Sequence, residues 1–154
     1  MSQSEAEQRA AVVAEARSWK KTPWQHSQCL KGAGVDCAML LVACYVKVGV
    51  VEPFDPRPYS RTWFLHQDEP IFLKQLLARG HEIFGEPQPA DIILWRIGRQ
   101  FAHAGIVTEW PYVIHAFAEE GIVTEANVDL PGVMTDAKKH PRRFFSAWPD
   151  GAQA

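Results

Sequence analysis

The sequence predicts an α+β fold with N-terminal helices packed on a C-terminal antiparallel sheet. Helical apolar patterns with glycine stops fill the first half, and short apolar runs of strand type fill the second. The breaker Pro87-Gln88-Pro89-Ala90 marks the change between them. Helices grouped before strands favour segregated layers over an alternating parallel sheet. The 154 residues, 47% of them hydrophobic, can build a core of their own, so one domain over 1–154 is expected. No repeat, low-complexity tract or linker divides the chain.

Residues Glu5 to Ser18 form an alanine- and glutamate-rich helix, with Val12, Val13 and Ala16 as its core face. Trp19 to Gly34 is a loop with turn chemistry at Thr22-Pro23, Gly32 and Gly34. Asp36 to Lys47 reads as a buried helix, capped by Asp36 and stopped by Gly49. Three prolines make Glu52 to Arg61 an irregular excursion. Phe64 to Arg79 has a helical apolar side (Ile71, Leu73, Leu76, Leu77) and a stop at Gly80. Strands are expected at Asp91–Arg96, Phe101–Glu109, Tyr112–Ala118, Gly121–Ala126 and Arg142–Trp148, separated by Gly98, Pro111 and Glu119-Glu120-Gly121.

A net charge of −2 offers no basic footprint for nucleic acid. No run approaches the roughly 18 apolar residues that span a membrane. The start, Met1-Ser2-Gln3-Ser4-Glu5, lacks the basic and apolar regions of a secretory signal, so a cytoplasmic site of synthesis is expected. An extracellular role would then require lysis, a phage particle or a dedicated secretion machine. The three cysteines, at 29, 37 and 44, match neither a zinc pattern nor a disulfide framework. Cys44 reads as a buried small hydrophobe and Cys29 as an incidental loop thiol.

Cys37 stands where a glycine-bearing loop gives way to an apolar helix. A helix start and a nearby histidine lower a thiol pKa from about 8.5. The expectation is therefore an activated Cys37 that alkylates before Cys29 and Cys44. His103 and His115 lie in successive strand-like runs and would supply the base and its partner. Backbone N–H groups at the helix start would face the oxyanion.

Particular strings narrow this reading. Thr22-Pro23-Trp24-Gln25-His26, followed by Gly32-Ala33-Gly34-Val35-Asp36-Cys37, resembles the Thr-Pro-Tyr loop and Asp-Cys nucleophile helix of the NlpC family of papain-like cell-wall cysteine peptidases. The likeness is greatest to its phage-tail-associated and stand-alone bacterial members. Pro89-Ala90-Asp91-Ile92-Ile93-Leu94-Trp95 is similar to the family's Pro-Gly-Asp-Leu strand. His103-Ala104-Gly105-Ile106-Val107 is similar to its His-Val-Gly-Ile strand. Val113-Ile114-His115-Ala116 resembles the strand carrying its second histidine. These strings run in the family's order from about 17 to 148.

The resemblance implies a papain-like fold and hydrolysis of an amide in peptidoglycan stem peptides, by family default γ-D-glutamyl to diaminopimelate. Cys37 would be the nucleophile, His103 the base and His115 the residue that orients it; no cofactor or metal is implied. Asp36 would bind the free amine of the stem peptide, cap the helix, or both. Trp24, Ala38 and His26 would contact substrate, and Tyr59, Arg61 and Trp63 would overhang the site. Phage tail proteins are implied as partners. Trp24 stands where the family has tyrosine, and its indole N–H can donate but not accept. Ala38-Met39 replaces the family's Ser-Gly. Both departures leave the triad residues in place and bear on substrate preference. Three rivals remain open: an acyltransferase or amidase acting on lipid or protein, a phage tail or wall-binding component without turnover, and a metal site. The cluster Lys138-Lys139-His140-Arg142-Arg143 reads as a solvated face, and Trp19, Trp95, Trp110 and Trp148 as core or rim.

Overall fold

The computed structural model describes residues 3–60, 71–97, 100–130 and 141–149. Helix α1 (Glu5–Arg17) starts at a capping box: Ser4 Oγ accepts from the Glu7 N–H, and Glu7 reaches back to the Ser4 N–H. It buries Val12, Val13 and Ala16. The loop after it contains two short antiparallel strands that the sequence reading misses, β1 (Cys29–Leu30) and β2 (Gly34–Val35). Two-residue strands are too short for a periodic signal. Helix α2 (Cys37–Val48) has Asp36 as N-cap and Gly49 in the left-handed region at φ 87° as its stop. Helix α3 is described over Ile71–Arg79; the earlier part of the expected helix, with Arg61 and Trp63, lies outside the described residues.

The sheet has the order β3-β8-β4-β5-β6-β7, with every pairing antiparallel. Its strands are β3 (His81–Ile83), β4 (Ile92–Ile97), β5 (Gln100–Glu109), β6 (Tyr112–Ala116), β7 (Val123–Asn127) and β8 (Arg142–Ser146). β3 is a further strand that the sequence reading does not contain. It pairs with β8 at the edge, and Arg143 of β8 bonds Glu82 of β3. Arg142 bonds Asp129 and the Val128 carbonyl. These two arginines are therefore tethered rather than part of a solvated face; residues 138–140 of that cluster lie outside the described residues.

Alternation along β4 divides the core. Ile92 and Leu94 join Ala104, Ile106, Ile114 and Phe145 under α1 and α2, while Ile93 and Trp95 join Val107, Val113 and Val128 in a second cluster. Trp19, Trp95 and Trp148 are buried, and Trp110 packs on the second cluster. Helix α1 is tied to the sheet by charge as well. Arg9 Nη1 donates to Asp91 Oδ1 and to the Pro89 carbonyl, each at 2.8 Å, and Asp91 is only 2% exposed.

Candidate active site

The Asp36 cap positions the nucleophile. Its Oδ1 accepts from the Met39 N–H (2.9 Å), and its Oδ2 accepts from the Ser27 N–H (2.8 Å) and the Tyr59 hydroxyl (2.6 Å). A carboxylate with three donors and almost no solvent has a fixed orientation, which sets the first turn of α2. Arg57 extends the clamp by donating to the Ser27 carbonyl. His26 meets the Tyr59 ring edge-on at 5.5 Å. Tyr59, guessed from sequence as an overhanging substrate contact, is thus bonded to the helix cap.

Cys37 is half-buried, and its thiol donates to the Ala102 carbonyl on β5 at 3.8 Å. Among the described residues no hydrogen bond joins it to His103. The expected thiolate is corrected here. Burial, aided by the adjacent Asp36 carboxylate, pushes the Cys37 thiol up to about 12; the main-chain N–H groups of Ala104, Ala38 and Cys37 pull the other way and lose. The helix start therefore does not by itself activate the sulfur. Burial also raises the other two thiols, Cys29 and Cys44. Cys44 is wholly buried, and Cys29 lies on β1 with its sulfur 3.7 Å from the Met39 carbonyl.

The two histidines meet directly. His103 Nε2 and His115 Nδ1 are 2.8 Å apart across β5 and β6. Glycine at 105 makes the approach close: a Cβ there would come within 2.5 Å of Val113 Cγ1 and 3.2 Å of His115 Cβ. Trp95 stacks on His103 at 5.2 Å, and Phe117 lies 4.9 Å from His103 and 5.8 Å from His115. Burial in this aromatic box holds His103 well below the usual histidine range, with His115 adding to the effect. Burial lowers His115 too, opposed by Glu120. Both rings are neutral near pH 7. Since His103 commits Nε2 to His115, Nδ1 is the nitrogen left to take a thiol proton.

Cys37 and His103 line one cavity of about 370 Å³, together with Trp24, His26, Asp36 and Ala38. His115 lies behind His103 and does not line it. Of the residues expected at the site, Trp24, His26, Asp36, Cys37, Ala38, Tyr59 and His103 share this cavity, while the His103 ring packs on Trp95 and is not bonded to the thiol at rest. Much of the remaining wall is apolar, including Leu41, Val42, Val51, Phe54 and Leu76. Among the described residues no three His, Cys, Asp or Glu side chains converge as metal ligands. Sequence reasoning missed Phe117, Ala102 and Glu120, since nothing in the strings distinguishes them from ordinary strand and turn residues.

No protein-family model and no curated protein matches the sequence. Solved structures do. The NlpC/p60 domain of the peptidoglycan hydrolase SagA is similar at 20% identity and TM-score 0.58, over 79% of this chain and 90% of that one. RipB, a peptidoglycan hydrolase from Mycobacterium tuberculosis, aligns at 16% identity and TM-score 0.63, over 97% of this chain and 69% of that one. NlpC1 from Trichomonas vaginalis aligns at 15% identity and TM-score 0.61, over 89% of this chain and 42% of that one. Helices α1 and α2 over a six-stranded antiparallel sheet, with Cys37 opening the second helix, have the NlpC/p60 fold.

Proposed function

We propose that this protein is a cysteine peptidase that hydrolyses an amide in the stem peptides of bacterial peptidoglycan. The observation that carries the reading is a helix-start thiol on the same cavity as His103, which is in turn directly paired with His115. Two of the similar structures are named peptidoglycan hydrolases, which supports the substrate class. In this mechanism the Cys37 side chain leaves the Ala102 carbonyl and gives its proton to His103 Nδ1. The thiolate attacks the amide carbon, and N–H groups at the start of α2 receive the oxyanion. The imidazolium protonates the leaving amine as the C–N bond breaks, leaving a thioester. Water then cleaves the thioester, with His103 again taking the proton. Because thiol and imidazole are both neutral at rest, the ion pair forms only as substrate is engaged. The γ-D-glutamyl to diaminopimelate bond is the specific bond proposed, reached after phage delivery, lysis or specialised secretion.

Incubating the protein with purified peptidoglycan or a stem tripeptide tests this. Wild type is expected to release a new amine and Cys37→Ala none; equal wall binding by both without amine release would establish a binding module instead. The apolar side of the cavity favours a second reading, acyl transfer or amide cleavage on a lipid substrate. Turnover confined to phospholipid or thioester donors would select it.

A further inference from the structure

The proton on the paired histidines has to sit in one arrangement for His103 to act as a base through Nδ1. His103 Nδ1 must be bare, so His103 carries its proton on Nε2 and donates to His115 Nδ1. His115 Nδ1 must then be bare as well, and His115 carries its proton on Nε2. That nitrogen is wholly buried and has no hydrogen-bond partner among the described residues. Among the described residues a carboxylate oxygen, Glu120 Oε1, lies 3.8 Å from it.

Glu120 is held in a turn that closes the β6–β7 connection. Its own N–H and that of Gly121 both donate to the Phe117 carbonyl, at 3.1 and 3.0 Å. Its second carboxylate oxygen accepts from the Thr124 hydroxyl at 2.6 Å. One oxygen is therefore anchored on β7 while the other faces the buried His115 nitrogen. The gap is about 1 Å longer than a hydrogen bond, and a small side-chain rotation at a residue whose side chain is 26% exposed would close it.

We propose that Glu120 is a positioning residue. Its carboxylate accepts the His115 Nε2 proton and fixes the tautomers of both histidines in the state that leaves His103 Nδ1 free. Without that acceptor, His115 could carry its proton on Nδ1 and donate to His103 Nε2. His103 would then be protonated on Nδ1 and unable to act as the base. The negative charge also stabilises the positive charge that the pair takes on when His103 accepts the thiol proton.

The consequence for catalysis rests on the peptidase reading, but the tautomer does not. Imidazole ¹⁵N–¹H correlation spectra of the resting protein, assigned with His115→Asn, read the tautomer without any substrate. His115 is expected to carry its proton on Nε2 in wild type and in Glu120→Gln, whose amide oxygen can replace the carboxylate. A mixture of tautomers is expected in Glu120→Ala. In turnover, Glu120→Ala is expected to lower kcat roughly tenfold, at the lower end of what an orienting partner behind a functional histidine contributes. KM should stay within twofold, and Glu120→Gln should recover most of the loss. His115 protonated on Nδ1 in wild type, or a Glu120→Ala protein that keeps both tautomer and kcat, overturns the proposal. Should wild type fail to turn over stem peptide, only the peptidase reading falls, and the spectra still decide the role of Glu120.

Discussion

The two sides of the candidate site are built on opposite plans. On the helix side, Asp36 is saturated: two backbone N–H groups and the Tyr59 hydroxyl occupy it, and Arg57 braces the loop that supplies one of them. On the sheet side, His103 and His115 share a single hydrogen bond, and among the described residues the outer His115 nitrogen has Glu120 only at 3.8 Å, beyond hydrogen-bond distance. A saturated group fixes geometry, because moving it would strand several donors at once. A buried pair held by one hydrogen bond and one longer carboxylate contact keeps room to accept a further proton. The molecule thus holds its nucleophile on the rigid side and its proton-handling groups on the side with slack.

Removing the slack side should have the largest effect. His103→Ala is expected to lower stem-peptide turnover by about 10²- to 10⁴-fold, the usual contribution of a general base, while the melting temperature of the folded protein shows that the sheet survives. A His103→Ala protein within tenfold of wild type would mean that another group takes the thiol proton.

Acid should then act on the same pair through stability. Both histidines are lowered in the folded protein, so stability is complete above the unfolded value of about 6.5 and falls as pH drops below it. Each proton taken up on unfolding adds at most about 1.4 kcal/mol per pH unit to the slope. Urea unfolding from pH 7.5 to 5 should show the decline, and His103→Asn/His115→Asn should flatten it. An unchanged slope in the double variant would place the acid sensitivity elsewhere.

On the saturated side, Asp36→Ala should cost about 0.5–2 kcal/mol for the lost cap, with a further loss from the stranded Tyr59 hydroxyl, read as a lower urea midpoint. The smallest effect expected is a reversal in alkylation order. Cys29 should react with iodoacetamide at pH 7.5 before Cys37, since burial and Asp36 hold the Cys37 thiol up at about 12; Cys44, wholly buried, should react last. Rapid labelling of Cys37 would show that the resting thiol is activated after all.

The layer order and most of the strands were legible because their cues are local. Asp36 and Gly49 bracket α2 by capping chemistry, and apolar runs between turn residues mark β4 to β8. Strands β1, β2 and β3 were not legible, because two or three residues carry no period. The site divides in the same way. Cys37, His103 and His115 could be named from strings, whereas the electrostatics could not. A helix start predicts a lowered thiol; the structure buries that thiol beside a carboxylate, and desolvation wins. Tyr59 on Asp36 and Glu120 facing His115 are contacts across 23 and 5 positions that no spacing rule anticipates.

Helix α1 precedes most of the stretch that resembles the NlpC strings, and trimming a clone to begin near Arg17 would therefore look harmless. It would not be. Asp91 would lose its bond from Arg9, Trp148 would lose the Gln8 oxygen that accepts its indole N–H, and the hydrophobic layer would lose Val12, Val13 and Ala16. Leaving three buried apolar side chains without their place in the core costs several kcal/mol, on the scale of a small domain's whole stability. The minimal expressible unit accordingly starts no later than Ser4, and any tag belongs upstream of its capping box.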